Sequence, residues 1–194
     1  FGDQIIYGTV QGRVISRNAL DGQRKYLVDV GAAVESSGVV HKGKIYFHLR
    51  NHQIACLDAE TGKIIWQYKR NVPYLTTIQR VSTPSIVGQN LVVGMADGNV
   101  VALSLYDGAL LWEKKIATQS KFIDVDATPL AIEEGIFVGS LGGQAQLMDR
   151  NNGNTIQSFP YTISRGPRFI KGRYYLGTYD GRLLKMDAHL NVLE

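Results

Sequence analysis

The sequence is poor in most of the features that announce a function. It has one cysteine, Cys56, in 194 residues, which excludes an internal disulfide and any zinc or iron–sulfur site built on several thiolates. No apolar run approaches the ~20 residues that a membrane-spanning helix needs. No stretch carries the i, i+3, i+4 apolar spacing of an amphipathic helix over ten or more residues. Neither charge sign dominates: 21 basic and 17 acidic residues leave a net +4, too small an excess to point to nucleic acid. A phosphate-binding glycine loop, a nucleophile elbow and a Ser-His-Asp setting are all missing. Prolines number five against 21 glycines, so tight turns are expected to be many. With 44% apolar and 20% charged residues, the chain reads as globular and able to bury a core.

What is present is a repeat. Turn pairs at Asp21-Gly22, Thr61-Gly62, Asp107-Gly108 and Asn152-Gly153, with Asn191 as the fifth member, are spaced 40, 46, 45 and 38 residues apart. Ten residues upstream, Gly12, His52, Gly98, Gly143 and Gly181 keep the same four spacings. A third series, Gly8, His48, Gly94, Gly139 and Gly177, moves in step with both. Three markers shifting together through insertions define a true internal repeat.

Each unit reads as a meander of short strands. In the third unit they fall at 83–87, 91–95, 99–105 and 109–115, linked by residues that accept positive φ. Strand cores such as Ile5-Ile6-Tyr7, Ile45-Tyr46-Phe47, Leu91-Val92-Val93, Ile136-Phe137-Val138 and Tyr174-Tyr175-Leu176 are apolar on consecutive positions. Such runs predict strands covered on both faces. Four-stranded sheets packed face to face at this period describe an all-β fold, a β-propeller of about five blades. A two-sheet sandwich is the competing architecture, but it requires no repeated marker set. The expected blades span about 1–31, 32–72, 79–118, 125–161 and 162–194 of one propeller domain. Tyr26, Trp66 and Trp112, four residues after successive turn glycines, are expected to dock blade against blade and to cover the turn of their own blade.

The segments 55–66 (ACLDAETGKIIW) and 101–112 (VALSLYDGALLW) resemble the repeat of pyrroloquinoline-quinone-type propellers, which include quinoprotein dehydrogenases and many cofactor-free scaffolds. A narrower resemblance lies in 123–129 (IDVDATP) and 73–84 (PYLTTIQRVSTP), which are similar to two inter-blade connections of the BamB family. That family comprises propeller lipoproteins of the outer-membrane β-barrel assembly machinery. The resemblance implies a non-enzymatic scaffold, periplasmic and outer-membrane-associated, that docks onto a BamA-like subunit through these connections. The residues it implies for docking are Leu75, Ile78, Arg80, Asp124 and Asp126, although one extra residue lets the family arginine fall on Gln79 as well as Arg80. For the two aspartates, acceptance of backbone N–H groups ahead of the next strand is an equal expectation.

The family folds as a closed ring of eight blades on a chain nearly twice as long. Here the first unit lacks its innermost strand, the last stops before its aromatic, and no lipidated cysteine stands at position 1. Closure is expected as a five-bladed ring, as a homodimer of two arcs, or through more of the same native chain. The reading favours the homodimer.

Enzyme and sensor alternatives remain in view: a quinoprotein-type enzyme, or an extracytoplasmic sensor domain. Against the first, Cys56 stands alone where Ala102 stands one unit later, so a buried structural thiol is expected and no cofactor. His48 and His52 occupy two marker positions normally held by glycine. They are candidate metal ligands, but no third ligand is evident, and a structural role is the main expectation.

Overall fold

The computed structural model describes residues 1–71, 81–117, 123–163 and 165–193. Five antiparallel sheets follow one another along the chain, each with its strands in sequence order. The first has β1 (Gln4–Gly8), β2 (Arg13–Asn18) and β3 (Arg24–Asp29). The second has β4 (Val39–His41), β5 (Lys44–His48), β6 (Gln53–Asp58) and β7 (Ile64–Lys69). The third has β8 (Ser85–Val87), β9 (Asn90–Gly94), β10 (Asn99–Ser104) and β11 (Leu110–Lys115). The fourth has β12 (Leu130–Ile132), β13 (Gly135–Ser140), β14 (Gly143–Met148) and β15 (Thr155–Phe159). The fifth has β16 (Arg168–Ile170), β17 (Arg173–Gly177) and β18 (Leu183–Met186). Among the described residues there is no helix.

The repeat extends to irregularities. The register shifts by a residue between Ser16 and Arg17, Cys56 and Leu57, Ala102 and Leu103, and Leu147 and Met148, the same place in four sheets. A bulge there increases the local twist and turns each outer strand away from its neighbours. The fifth unit departs at its turn. Its left-handed residue is Leu190 (φ 64), one position before Asn191, because the loop closes on Asp187.

Apolar contact runs between sheets, in four clusters, each joining two consecutive sheets. Val14 and Val30 pack on Leu57 and Phe47; Trp66 and Cys56 on Leu91 and Val101; Trp112 and Val92 on Ile136 and Met148; Phe137 and Leu147 on Leu176 and Met186. The inner strands β4, β8 and β12 lie side by side around the axis. This is the radial face-to-face stack of a propeller. Among the described residues no cluster joins the first sheet to the fifth. The central strands β5, β9 and β13 are covered on both faces as the unbroken apolar runs require. In the first sheet the same kind of run is not covered: Ile5 is 56% exposed and Tyr7 37%. Among the described residues only one face of that sheet has a neighbour.

The aromatic docking differs in phase from the expectation. Each ring lies over the turn of the following sheet, not its own. A Cβ on Gly62 would sit 2.5 Å from the Tyr26 ring, one on Gly108 2.6 Å from Trp66, and one on Gly153 2.5 Å from Trp112. The polar tips then bond equivalent carbonyls of that next sheet: Tyr26 Oη donates to Ala59 O (3.2 Å), Trp66 Nε1 to Leu105 O (3.4 Å) and Trp112 Nε1 to Arg150 O (3.2 Å). Apolar body and polar tip are thus both satisfied across one interface.

Candidate functional site

The described parts of the connections that lead into the inner strands, among them 81–84 and 123–129, lie together at one end of the stack. Their path is set by the strands beneath them. At Gly8, Gly94 and Gly139 an added Cβ would fall 2.2 Å from Val34, 2.2 Å from Val125 and 1.9 Å from Ile163, each on the connection to the following sheet. These marker glycines let a connection lie directly on the strand end. In the second sheet the position belongs to His48, and the residue in step with Val34 and Val125 is Arg80. Arg80, Leu75 and Ile78 lie outside the described residues.

The connection into the fourth sheet is anchored on both sides. Val125 is buried and donates its N–H to Met95 O (3.0 Å), while Asp124 O accepts from Ser140 Oγ (3.0 Å). Asp124 and Asp126 flank that buried valine and are both half-buried. They line a cavity of about 10 Å³ whose other walls include His48, His52 and Ser82. The structure therefore brings together two pairs that the sequence presents as unrelated, the histidines of the second sheet and the aspartates of the connection into the fourth.

Ser82 links them to the third sheet. Its carbonyl accepts from Nδ1 of His48 (2.9 Å), and its hydroxyl accepts the Gly94 N–H (3.1 Å). A carbonyl can only accept, so Nδ1 carries the proton and Nε2 of His48 is an acceptor. That Nε2 is buried with no hydrogen-bond partner, as is Oδ1 of Asp126. Burial pushes the His48 imidazole down to about 4, against the Ser82 hydrogen bond and with help from His52. Burial also pushes Asp126 up to about 6; backbone N–H groups and Arg165 oppose this, and Asp124 adds to it. His52 takes a left-handed conformation (φ 60), which histidine tolerates better than β-branched residues.

Asp126 also borders a second space, the mouth of the central channel, of about 770 Å³. Hydroxyls of Ser37, Thr83 and Thr128 line it at equivalent positions of three connections, with Glu35, Arg165 and Arg168 supplying charge. Glu35 is engaged by Arg50 (2.8 Å). Among the described residues no three His, Cys, Asp or Glu side chains assemble into a group able to hold a metal ion. Cys56 is fully buried, and burial pushes its thiol up to about 11, which leaves it protonated and unreactive at neutral pH.

The connection residues are visible in the sequence through their resemblance to known motifs, whereas Ser82 and Arg165 carry no motif of their own. The repeat spacing was the available signal. Ser36, Ser82 and Arg165 hold equivalent positions, and Ser36 Oγ accepts the His48 N–H (2.8 Å) just as Ser82 accepts that of Gly94.

Comparison with known proteins agrees with this geometry. A family model described as outer membrane protein assembly factor BamB matches residues 1–189. Outer membrane protein assembly factor BamB of Yersinia pestis is 25% identical over 195 residues, 96% of this chain and 49% of that protein. A quinoprotein ethanol dehydrogenase of Pseudomonas aeruginosa is 29% identical over 106 residues, covering 52% of this chain and 17% of the enzyme. The crystal structure of BamB from Moraxella catarrhalis superimposes with a TM-score of 0.84 at 21% identity, covering all of this chain and 60% of that one. The chain spans about half the length of the first of these relatives.

Proposed function

Because this chain belongs to the BamB family of outer membrane protein assembly factors, we propose that it is a non-enzymatic docking scaffold of the bacterial cell envelope, periplasmic and associated with the outer membrane. It assists insertion of β-barrel proteins by holding a BamA-like subunit through its inter-blade connections. The observation that carries this reading is the doubly anchored connection at 123–128. Met95 and Ser140 grip it from two sheets, so Asp124 is presented from a backbone that has little freedom left to lose on binding. Charges fixed on such a rim set orientation and partner choice more than affinity. Leu75, Ile78 and Arg80, on the preceding connection, are the proposed companions; apolar anchors with one arginine make a compact hot spot.

The test is capture of a purified BamA-like subunit by Asp124→Lys, Leu75→Asp and Arg80→Glu variants. Each is expected to weaken binding at least about tenfold, the loss of one good interfacial contact. Unchanged affinity in all three, with far-UV circular dichroism intact, refutes the docking assignment.

A second reading concerns closure of the stack. Ile170 (52% exposed) and Leu183 (72%) leave one face of the fifth sheet bare, as Ile5 does for the first. Apolar faces of this kind call for a neighbour. We propose a second copy as that neighbour in this chain; a monomeric mass by light scattering refutes it.

A further inference from the structure

The cavity between the second sheet and the connection into the fourth presents a hydrogen-bonding problem. The buried Nδ1 of His52 belongs to its lining, where Nε2 of His48 and Oδ1 of Asp126 stand as buried acceptors with no hydrogen-bond partner. Leaving both unmade costs roughly 1–3 kcal/mol each, so an arrangement that satisfies them is strongly favoured. The volume of about 10 Å³ is enough for one water centre. One water carries two donors, enough to serve Nε2 of His48 and Oδ1 of Asp126 together.

We propose that His48, Asp126 and one buried water form a proton-operated latch that fastens the 123–128 connection to the second sheet. When Asp126 is neutral, its own O–H serves Nε2 of His48, directly or through the water, and the connection is fastened. When Asp126 is ionised, only the water can bridge two acceptors, and the carboxylate has a second environment available. Asp126 borders the channel mouth as well as the cavity, and Arg165 attracts its charge there. Protonation thus decides which of two spaces the carboxyl group occupies.

The charged and titratable groups around the latch come from four elements. His52 faces it from the second sheet, and Asp124 from the same connection. Arg165 and Arg168, near the entry to the fifth sheet, and Glu35, ahead of the second, flank the channel side. Asp126 has a folded-state pKa near 6, above its ordinary 3.8. Its stabilising contribution is therefore complete below about 4 and lost as pH rises through about 6. His48 is depressed to about 4 from 6.5, so its contribution is present above 6.5 and lost as pH falls through 4. Both groups are neutral between about 4 and 6, and the latch is tightest there. At neutral pH the connection loosens and the carboxylate turns to the rim. The latch concerns the connection proposed to dock a partner, yet its test needs no partner, so the two ideas fail separately.

The experiment is NMR titration of the full chain with labelled aspartate carboxyl carbons and histidine ring nitrogens. The Asp126 carboxyl is expected to titrate near pH 6, with the same step visible at Nε2 of His48. In Asp126→Asn that step disappears from His48, while the ring's own ionisation near pH 4 remains. Hydrogen exchange adds a second readout at the Val125 amide, which bonds Met95 O. Its protection factor is expected to fall at least about threefold between pH 5 and pH 8 in the wild type and to stay level in Asp126→Asn. An Asp126 step in the ordinary carboxylate range, or a His48 ring blind to Asp126, overturns the latch. Should the variant not fold, the wild-type titration decides alone.

Discussion

The closest approach of backbone to backbone at the site makes Gly94→Ala the sharpest test of how the connection is held. A Cβ built on Gly94 falls 2.2 Å from the carbonyl oxygen of Val125, where ordinary contact begins at 3.4 Å. The offending atom belongs to the main chain, so no side-chain rotation relieves it, and the connection must rise by more than an ångström. That movement breaks the Val125 N–H bond to Met95 O and lifts a side chain that is 1% exposed out of its seat. Overpacking strain of about 2 kcal/mol and one lost hydrogen bond of about 1 kcal/mol put the cost near 3 kcal/mol. For a chain of this length that lowers the melting temperature by about 10 °C.

Gly177→Ala supplies the control, because Gly177 holds the equivalent position of the fifth sheet and a Cβ there meets nothing within 4 Å. Its effect is expected within about 0.5 kcal/mol of zero. Urea unfolding followed by tryptophan fluorescence measures both, since Trp66 and Trp112 sit in the two clusters that flank the third sheet. Equal losses in the two variants, or a Gly94→Ala protein as stable as the wild type, would refute the claim that marker glycines are conduits for the connections.

Other expectations concern the interfaces between sheets. Arg70 forks onto Glu113 (2.7 and 2.9 Å) and reaches Asp97 (2.8 Å), clamping the end of β7 to the third sheet, so Arg70→Ala should cost about 1–2 kcal/mol in thermal melts, between an exposed and a buried pair. The Arg70 guanidinium holds Glu113 below the ordinary carboxylate range; that stabilisation is present above Glu113's ordinary value and lost as pH falls through its folded one, so the gap to wild type should close in acid. Trp112→Phe removes the bond to Arg150 O but keeps a ring over Gly153, for a loss of about 1 kcal/mol, whereas Trp112→Ala should cost about 3–5 kcal/mol by denaturant titration. Equal losses in the two tryptophan variants would remove the argument that ring packing, not the indole N–H, carries the interface.

The architecture was legible because a repeat reports itself twice, in the turn glycines and in the glycines where connections cross strand ends. What the repeat could not report was phase between units. A ring at Trp66 that covers Gly62 and one that covers Gly108 produce the same periodic pattern, and only the direction of stacking chooses Gly108. Nor could apolar runs distinguish Ile45-Tyr46-Phe47, enclosed by two neighbours, from Ile5-Ile6-Tyr7, which has one. The site was legible only in halves. His48 belongs to a strand end and Asp126 to a connection two units later, and they share a cavity because sheets stack and connections overlap at one rim. No sequence spacing encodes that meeting.

In a repeat fold, a position matters most where it breaks the repeat. Gly8, Gly94 and Gly139 each give up a side chain so that the next connection can rest on the strand beneath it. His48 breaks this series with a large, polar, fully enclosed ring, which is tolerable only if the surrounding walls leave it both space and hydrogen bonds. The space is the cavity, one hydrogen bond comes from Ser82, and the other side of the ring meets the wall that holds Asp126. Substituting His48 by glycine would restore the repeat and enlarge the cavity, yet it should not rescue stability, because the buried ring and its bond to Ser82 are lost. A destabilisation of about 2–4 kcal/mol is expected, from lost burial and the severed Ser82 bond. If His48→Gly proved neutral or stabilising, the imidazole would be a passive occupant of its position and the cavity a packing defect.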